Sequence, residues 1–166
     1  MLLLMTKMDL LLSMTSAEDI RLHTLPLLYR ALESDLQQIQ ELCLSVVPTC
    51  APLLTSSTIK NALLPRLKRL CVSTSSLGVR VGSLVCVGKL LPHLDRWLIT
   101  DEVLPLLKEV PCKDAAVIVA VSAVIRTAVD HPKLGVPTDI IATEVSVQNI
   151  IDSTKTSTLY ETAQVY

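Results

Sequence analysis

Apolar residues recur along this chain at helical spacing, in stretches of three or four turns separated by short polar gaps. Ile20, Leu27, Leu28, Ala31 and Leu32 mark one apolar face of a helix. A second pattern of the same kind follows over residues 36–47, and others run over 76–87 and 114–128. Each polar gap is only a few residues long, which suits antiparallel neighbours.

The pattern has a period. Leu25-Pro26-Leu27-Leu28 returns as Leu64-Pro65-Arg66-Leu67 and as Leu104-Pro105-Leu106-Leu107, with the prolines 39 and 40 residues apart. An isoleucine stands five residues before the leading leucine each time, at Ile20, Ile59 and Ile99. In the second helices, Ile39, Leu44 and Val47 recur forty places on as Val79, Leu84 and Val87. A period near forty with two helices per unit predicts an all-α fold, a HEAT/armadillo-type right-handed superhelix (solenoid) of about three to four helix pairs. Proline inside a helix removes a hydrogen bond and crowds the preceding turn. Three prolines at one register therefore predict a repeated bend in the first helix of each pair, a break into two short helices being the alternative.

Capping residues fit this count. Ser16 precedes Ala17-Glu18-Asp19, which puts acids in a first turn where the helix dipole favours them. Ser34, Ser57, Thr100 or Asp101, and Ser75 or Ser76 are the expected caps of the later helices. Residues 2–13 read as one helix of an incomplete leading unit, and 138–151 as a further helix. The repeats are thus expected over 1–151, with partial units at both ends and a frayed Ser/Thr-rich tail over 152–166. The leading helix carries Leu2, Leu3, Leu4, Leu10, Leu11 and Leu12. It can turn only part of that surface inward, so an exposed apolar patch and self-association through these leucines are expected.

Composition narrows the function classes. Half of the 166 residues are hydrophobic, yet there is no phenylalanine, one tryptophan and three tyrosines, so Leu, Val, Ile and Ala fill thin layers between helices. Formal net charge is −1, which supplies no field to draw nucleic acid or anionic lipid. The opening Met1-Leu2-Leu3-Leu4-Met5 lacks a basic region, and Lys7 and Asp9 interrupt it, unlike a signal peptide. No stretch has the roughly eighteen uninterrupted apolar residues of a membrane span. Cys43, Cys50, Cys71, Cys86 and Cys112 lie in apolar runs without C-x-x-C spacing and read as buried, reduced thiols.

Candidate chemistry is sparse. Gly82-Ser83-Leu84-Val85-Cys86-Val87-Gly88-Lys89 approaches a phosphate-binding loop, but five residues separate the glycines and Leu90 stands where Ser or Thr would hold magnesium. Inside a helix its glycines serve close packing, so neither ATP binding nor hydrolysis is expected. His23, His93 and His131 lack metal-ligand spacing, and His93 with Asp95 reads as a solvated corner after Pro92. No catalytic, cofactor or metal site is expected, and the chain does not read as an enzyme. The one notable charge run is Arg66, Lys68 and Arg69, with Lys60 a turn or two earlier. Without interleaved aromatics it does not indicate nucleic acid; a solvated helix face is the ordinary reading. Trp97 serves either packing between repeats or a partner contact. Lys60, Arg66, Lys68, Arg69 and Trp97 are therefore the candidate partner-binding residues.

Several ordered strings resemble a known family. Lys7 to Leu12, Leu25 to Glu33, Ile39-Gln40-Glu41-Leu42-Cys43-Leu44 and Lys60-Asn61-Ala62-Leu63 are among them, as are Ser75-Ser76-Leu77, Val79-Arg80-Val81, Ser83-Leu84-Val85-Cys86 and Lys133-Leu134-Gly135. Together, over residues 5–145, they resemble the HEAT-repeat region of the SCY-like pseudokinases, in particular their coated-vesicle-associated branch. The resemblance implies a non-catalytic protein-interaction scaffold in clathrin-dependent traffic between Golgi, endosomes and plasma membrane. Clathrin-coat or adaptor components would be its partners, and a cytoplasmic location at the periphery of those membranes its setting. The alternatives are a regulatory solenoid supporting a kinase-like domain, or a truncated product without independent function. Family members carry a kinase-like domain before the solenoid and a flexible tail after it; no nucleotide loop, V-A-I-K, H-R-D or D-F-G string occurs here. After Val145 the text departs from the family pattern, which would continue with another Leu-Pro helix.

Overall fold

The computed structural model describes residue 3 and residues 6–130, and every regular element among them is helical. The helix expected over 138–151, the tail over 152–166 and His131 lie outside the described residues. Helix α1 is Met8–Met14. Helix α2 runs from Ala17–Asp19 through a π turn at Ile20–Thr24 into Leu25–Leu32. Helix α3 is Gln37–Cys50 and closes on a 3-10 turn at Ala51–Leu53. The pair then repeats. Helix α4 comprises Ser56–Thr58, a π turn at Ile59–Leu63 and Leu64–Ser73. Helix α5 is Leu77–Leu90 with a 3-10 turn at Leu91–His93. Helix α6 comprises Arg96–Leu98, a π turn at Ile99–Val103 and Leu104–Glu109, and α7 is Ala115–Asp130. The fold is an all-α solenoid of paired helices.

The predicted bend takes the form of a π turn directly before each proline, not a break. In a regular helix the ring of Pro26 would press on the Leu22 carbonyl and could not bond it. The helix widens instead, and the Leu25 N–H donates to the Ile20 carbonyl five residues back. Leu64 N–H donates to Ile59, and Leu104 N–H to Ile99, in the same way. The isoleucine that marks each repeat is thus the acceptor that opens its π turn, and all three isoleucines are fully buried.

Two of the expected caps form. The Ser16 hydroxyl accepts from the Asp19 N–H at 3.2 Å, and Ser76 accepts from the Val79 N–H at 3.4 Å. The others fall elsewhere. Helix α4 starts one residue before Ser57, and Thr55 caps it by accepting from the Thr58 N–H at 3.2 Å. Ser57 instead accepts from the Asn61 side-chain amide at 3.1 Å. Helix α6 starts at Arg96, which leaves Thr100 and Asp101 inside its first turns. Leu36 holds the cap place of α3, and Ser34 accepts from the Leu36 N–H within the turn. Where several hydroxyls share a turn, the start of the helix follows the apolar face that must meet the core.

Helices α3, α5 and α7 lie side by side, with α5 in contact with α3, α4 and α7. Glycines set the closeness. A Cβ on Gly82 would stand 3.3 Å from Leu44 Cδ1, and one on Gly88 would stand 3.4 Å from Val124 Cγ2. The Gly78 position meets Glu41 and the Gly82 position meets Leu44, so residue numbers rise together and α3 and α5 run parallel. The core is one continuous layer. Ile39, Leu44 and Val47 and their repeats Val79, Leu84 and Val87 are all buried in it. Buried leucines of this kind contribute roughly 1.5–3 kcal/mol each, and they hold the first helices against the second.

Candidate functional site

The sequence-selected cations all stand on α4, and the structure directs each toward an adjacent helix pair. Arg66 Nε donates to Glu33 Oε1 at 3.0 Å, across to the end of α2. Another Arg66 nitrogen donates to the Ala62 carbonyl at 2.7 Å, and the guanidinium lies over the Tyr29 ring, 4.4 Å from its centroid. Arg69 approaches the same Glu33 oxygen at 3.9 Å. On the other side, Lys68 is paired with Glu102 of α6, and Lys60 Nζ lies 4.1 Å from the centroid of the Trp97 ring. Two seams result, one joining the first and second helix pairs and one joining the second and third. Trp97 is 48% exposed, and its ring is one of the places where the third pair meets the second.

The electrostatics follow this pairing. The hydrogen bond from Lys68 holds the Glu102 carboxyl below its ordinary range, with the charges of Lys68 and Lys60 adding to the effect. Partial burial pushes the Tyr29 hydroxyl up, and the Arg66 charge partly offsets this. Both seams are partly open to water: the side chains of Arg66 and Glu33 are 29% and 42% exposed. An open cleft of about 320 Å3 runs along the α4–α6 seam, lined by Lys60, Asn61, Leu64, Pro65, Lys68 and Glu102. A polar cleft of about 470 Å3 opens between the turns after α2 and α4, where Glu33, Asp35, Arg69 and Ser73 face it.

The near-miss phosphate string from Gly82 to Lys89 lies wholly within α5. Its backbone N–H groups are spent on the helix and cannot cradle a phosphate in the manner of an open loop. His93 and Asp95 are exposed at the corner between α5 and α6. Among the described residues no group of His, Cys, Asp and Glu has the arrangement of a metal site, and no helix is long and apolar enough to cross a membrane. Cys43, Cys50, Cys71 and Cys86 are buried free thiols, and Cys112 is half-buried. Burial pushes Cys43 and Cys71 up to about 12, so they stay protonated and unreactive at neutral pH.

Two features escaped the sequence reading. The acidic and aromatic partners of the cations, Glu33, Glu102 and Tyr29, are one; complementary charges 33 and 34 residues apart, a little under one repeat, were the available signal. The other is the open side of the parallel second helices. Val85 is 45% exposed and Val119 68%, with Ala123 also exposed and Val81 partly so. Lys89 and Arg126, both exposed, follow Val85 and Ala123 along α5 and α7, and neither forms an ion pair among the described residues. Small apolar side chains thus stand exposed beside cations on both α5 and α7.

No protein-family model matches the chain, and no solved structure matches it. It is 46% identical over 145 residues to SCY1-like protein 2 of Homo sapiens, an overlap of 87% of this chain and 16% of that protein. The Mus musculus protein of the same name gives the same 46% over 145 residues. Protein kinase-like protein SCY1 of Saccharomyces cerevisiae is 33% identical over 89 residues, 52% of this chain and 11% of that protein. The chain therefore spans about a sixth or less of the length of these relatives.

Proposed function

This chain belongs to the SCY1-like family, and from that premise we propose that it is a non-catalytic scaffold that binds protein partners on the open side of α3, α5 and α7. The observation that carries this reading is the division of labour among its surface groups. The cations of α4 are engaged in seams that join adjacent helix pairs. Lys89 and Arg126 stand exposed beside an apolar strip on the opposite kind of helix. Neighbouring rigid units then present a shaped surface, and recognition needs no bond to be made or broken. The repeats are of the HEAT type by period, and Lys60, Arg66, Lys68, Arg69 and Trp97 act through the shape they impose rather than as the contact itself. Clathrin-coat and adaptor components are the proposed partners, and the cytoplasmic periphery of Golgi, endosomes and coated vesicles the proposed place.

Proximity labelling in cells tests this. The intact chain is compared with a Val81→Arg, Val85→Arg variant whose helicity is verified by circular dichroism. Coat and adaptor proteins should dominate the labelling of the first and be depleted from the second. Equal labelling by both would remove the open side as the docking surface, and absence of coat proteins from both would remove the trafficking role.

The yeast relative's name, with its words "protein kinase-like", favours a second reading, a solenoid that supports a kinase-like domain supplied separately. Binding of the chain to such a domain of a relative, insensitive to the Val81→Arg, Val85→Arg change, would select it.

A further inference from the structure

The parallel helices α3 and α5 share a furrow on the open side of the fold. Positions i, i+7 and i+11 share one face of a helix, and Gly78, Val85 and Lys89 have that spacing along α5. Glu41, Ser45 and Thr49 follow one another at four-residue steps along α3, and Ser45 and Thr49 stand forty places before Val85 and Lys89. All six residues are exposed. Helix α1 packs on α3 and α7 packs on α5, so this furrow lies within the stack of helices and not at either end of it.

The two ends of the furrow carry opposite charge. A Cβ on Gly78 would overlap Glu41 Oε1, so the missing side chain is what lets the Glu41 carboxylate lie across the first turn of α5. Lys89 stands at the other end, in the last turn of the same helix. Eleven residues of α5 separate Gly78 from Lys89, about 16 Å at the helical rise. The lysine does not reach the carboxylate over that distance, and neither charge forms an ion pair among the described residues. Between them the walls are short side chains, Ser45, Thr49 and Val85, the last 45% exposed.

We infer that the furrow binds an extended segment of a protein partner that carries a basic and an acidic residue about five positions apart, with small apolar side chains between them. The basic residue meets Glu41, the acidic one meets Lys89, and the apolar ones cover Val85. An extended chain rises about 3.3 Å per residue, so about five residues span the separation of the two charges. A helix, about 10 Å across, is too wide to sink between neighbours drawn together by glycine. Complementary charge sets the register of the segment more than its affinity. This inference rests on the reading of the open side as a docking surface and adds the chemistry of what docks there.

Selection on the full chain from a phage-displayed library of random peptides, each about twelve residues long and so able to cover the furrow when extended, tests it. The wild type should enrich peptides that pair a basic with an acidic residue at the stated spacing, in either chain direction. Glu41→Lys should instead enrich peptides with two acidic residues at that spacing, and Lys89→Glu peptides with two basic ones. A peptide selected by the wild type, measured by fluorescence anisotropy at low salt, should bind each reversal variant about three- to tenfold more weakly. Both positions are exposed, so circular dichroism should show unchanged helicity. The Val81→Arg, Val85→Arg chain separates this inference from the reading it rests on. Peptides enriched by the wild type and not by that chain, but with the same charges selected by both reversal variants, would overturn the inference and leave the docking surface standing. No enrichment over that chain would overturn both, the result expected if residues 131–166 of the chain itself occupied the furrow.

Discussion

Replacing Arg66 by alanine should loosen the joint between the first and second helix pairs while leaving each pair folded. Three contacts are lost at once: the ion pair with Glu33 at 3.0 Å, the stacking on Tyr29 at 4.4 Å and the hydrogen bond to the Ala62 carbonyl at 2.7 Å. An ion pair this exposed contributes about 0.2–1 kcal/mol. A guanidinium over a partly exposed ring adds about 0.5–1 kcal/mol. The carbonyl regains water once the arginine is gone, so that bond adds only about 0.5 kcal/mol. The expected loss is therefore about 1–2.5 kcal/mol. In a solenoid, stability is close to a sum of unit and interface terms, so the loss falls on one interface. With a urea slope of about 2 kcal/mol/M, the midpoint should fall by about 0.5–1.2 M. In 1 M salt, where charges are screened within about 3 Å, the ion-pair share should vanish and the stacking share remain. Arg66→Lys should show most of the loss, because an ammonium cannot hold a carboxylate, a ring and a carbonyl together as a planar fork does. A midpoint moved by less than about 0.2 M on this urea scale, or full retention in Arg66→Lys, would show that Arg66 is only a solvated charge.

Glycine substitutions should separate by position. Gly82→Val forces a Cβ within 3.3 Å of the buried Leu44 Cδ1, so thermal unfolding should show a loss of about 1–3 kcal/mol. Gly88→Ala makes an ordinary 3.4 Å contact with Val124 and should gain about 0.5–1 kcal/mol from the lower entropy of alanine in a helix; a loss there would contradict the packing described. Stability should also fall in mild alkali. Burial pushes Cys43 and Cys71 up to about 12, and Cys86 is raised as well. An unfolded thiol titrates near ~8.5. Below that value both states hold the proton and stability is full; above it only the unfolded chain releases protons, so stability declines as pH rises toward 12. Urea midpoints from pH 7.5 to 10 on that scale measure this, and a flat profile would refute it. A thiol-labelling reagent should modify half-buried Cys112 first and the four buried thiols only on unfolding; prompt labelling of all five would show an open core.

The repeat, the fold class and most of the core were legible in the sequence because they are local and periodic. The 39- and 40-residue spacing of Leu-Pro strings requires the same helix pair to recur, and Ile39, Leu44, Val47, Val79, Leu84 and Val87 are buried as their spacing implies. Ser16 and Ser76 cap helices because a hydroxyl three residues before an orphan N–H needs no distant partner. The proline register announced a distortion, but which distortion depended on packing. A π turn keeps one continuous helix and lets Ile20, Ile59 and Ile99 all reach the core, which a break would not. The fate of the α4 cations was decided only in three dimensions. On one helix Arg66, Lys68 and Arg69 read as a basic strip; the tertiary structure brings Glu33 and Tyr29 to one side and Glu102 and Trp97 to the other. Helical periodicity fixes which residues share a face, whereas which face meets another unit and which meets water is set by the stacking of all three pairs.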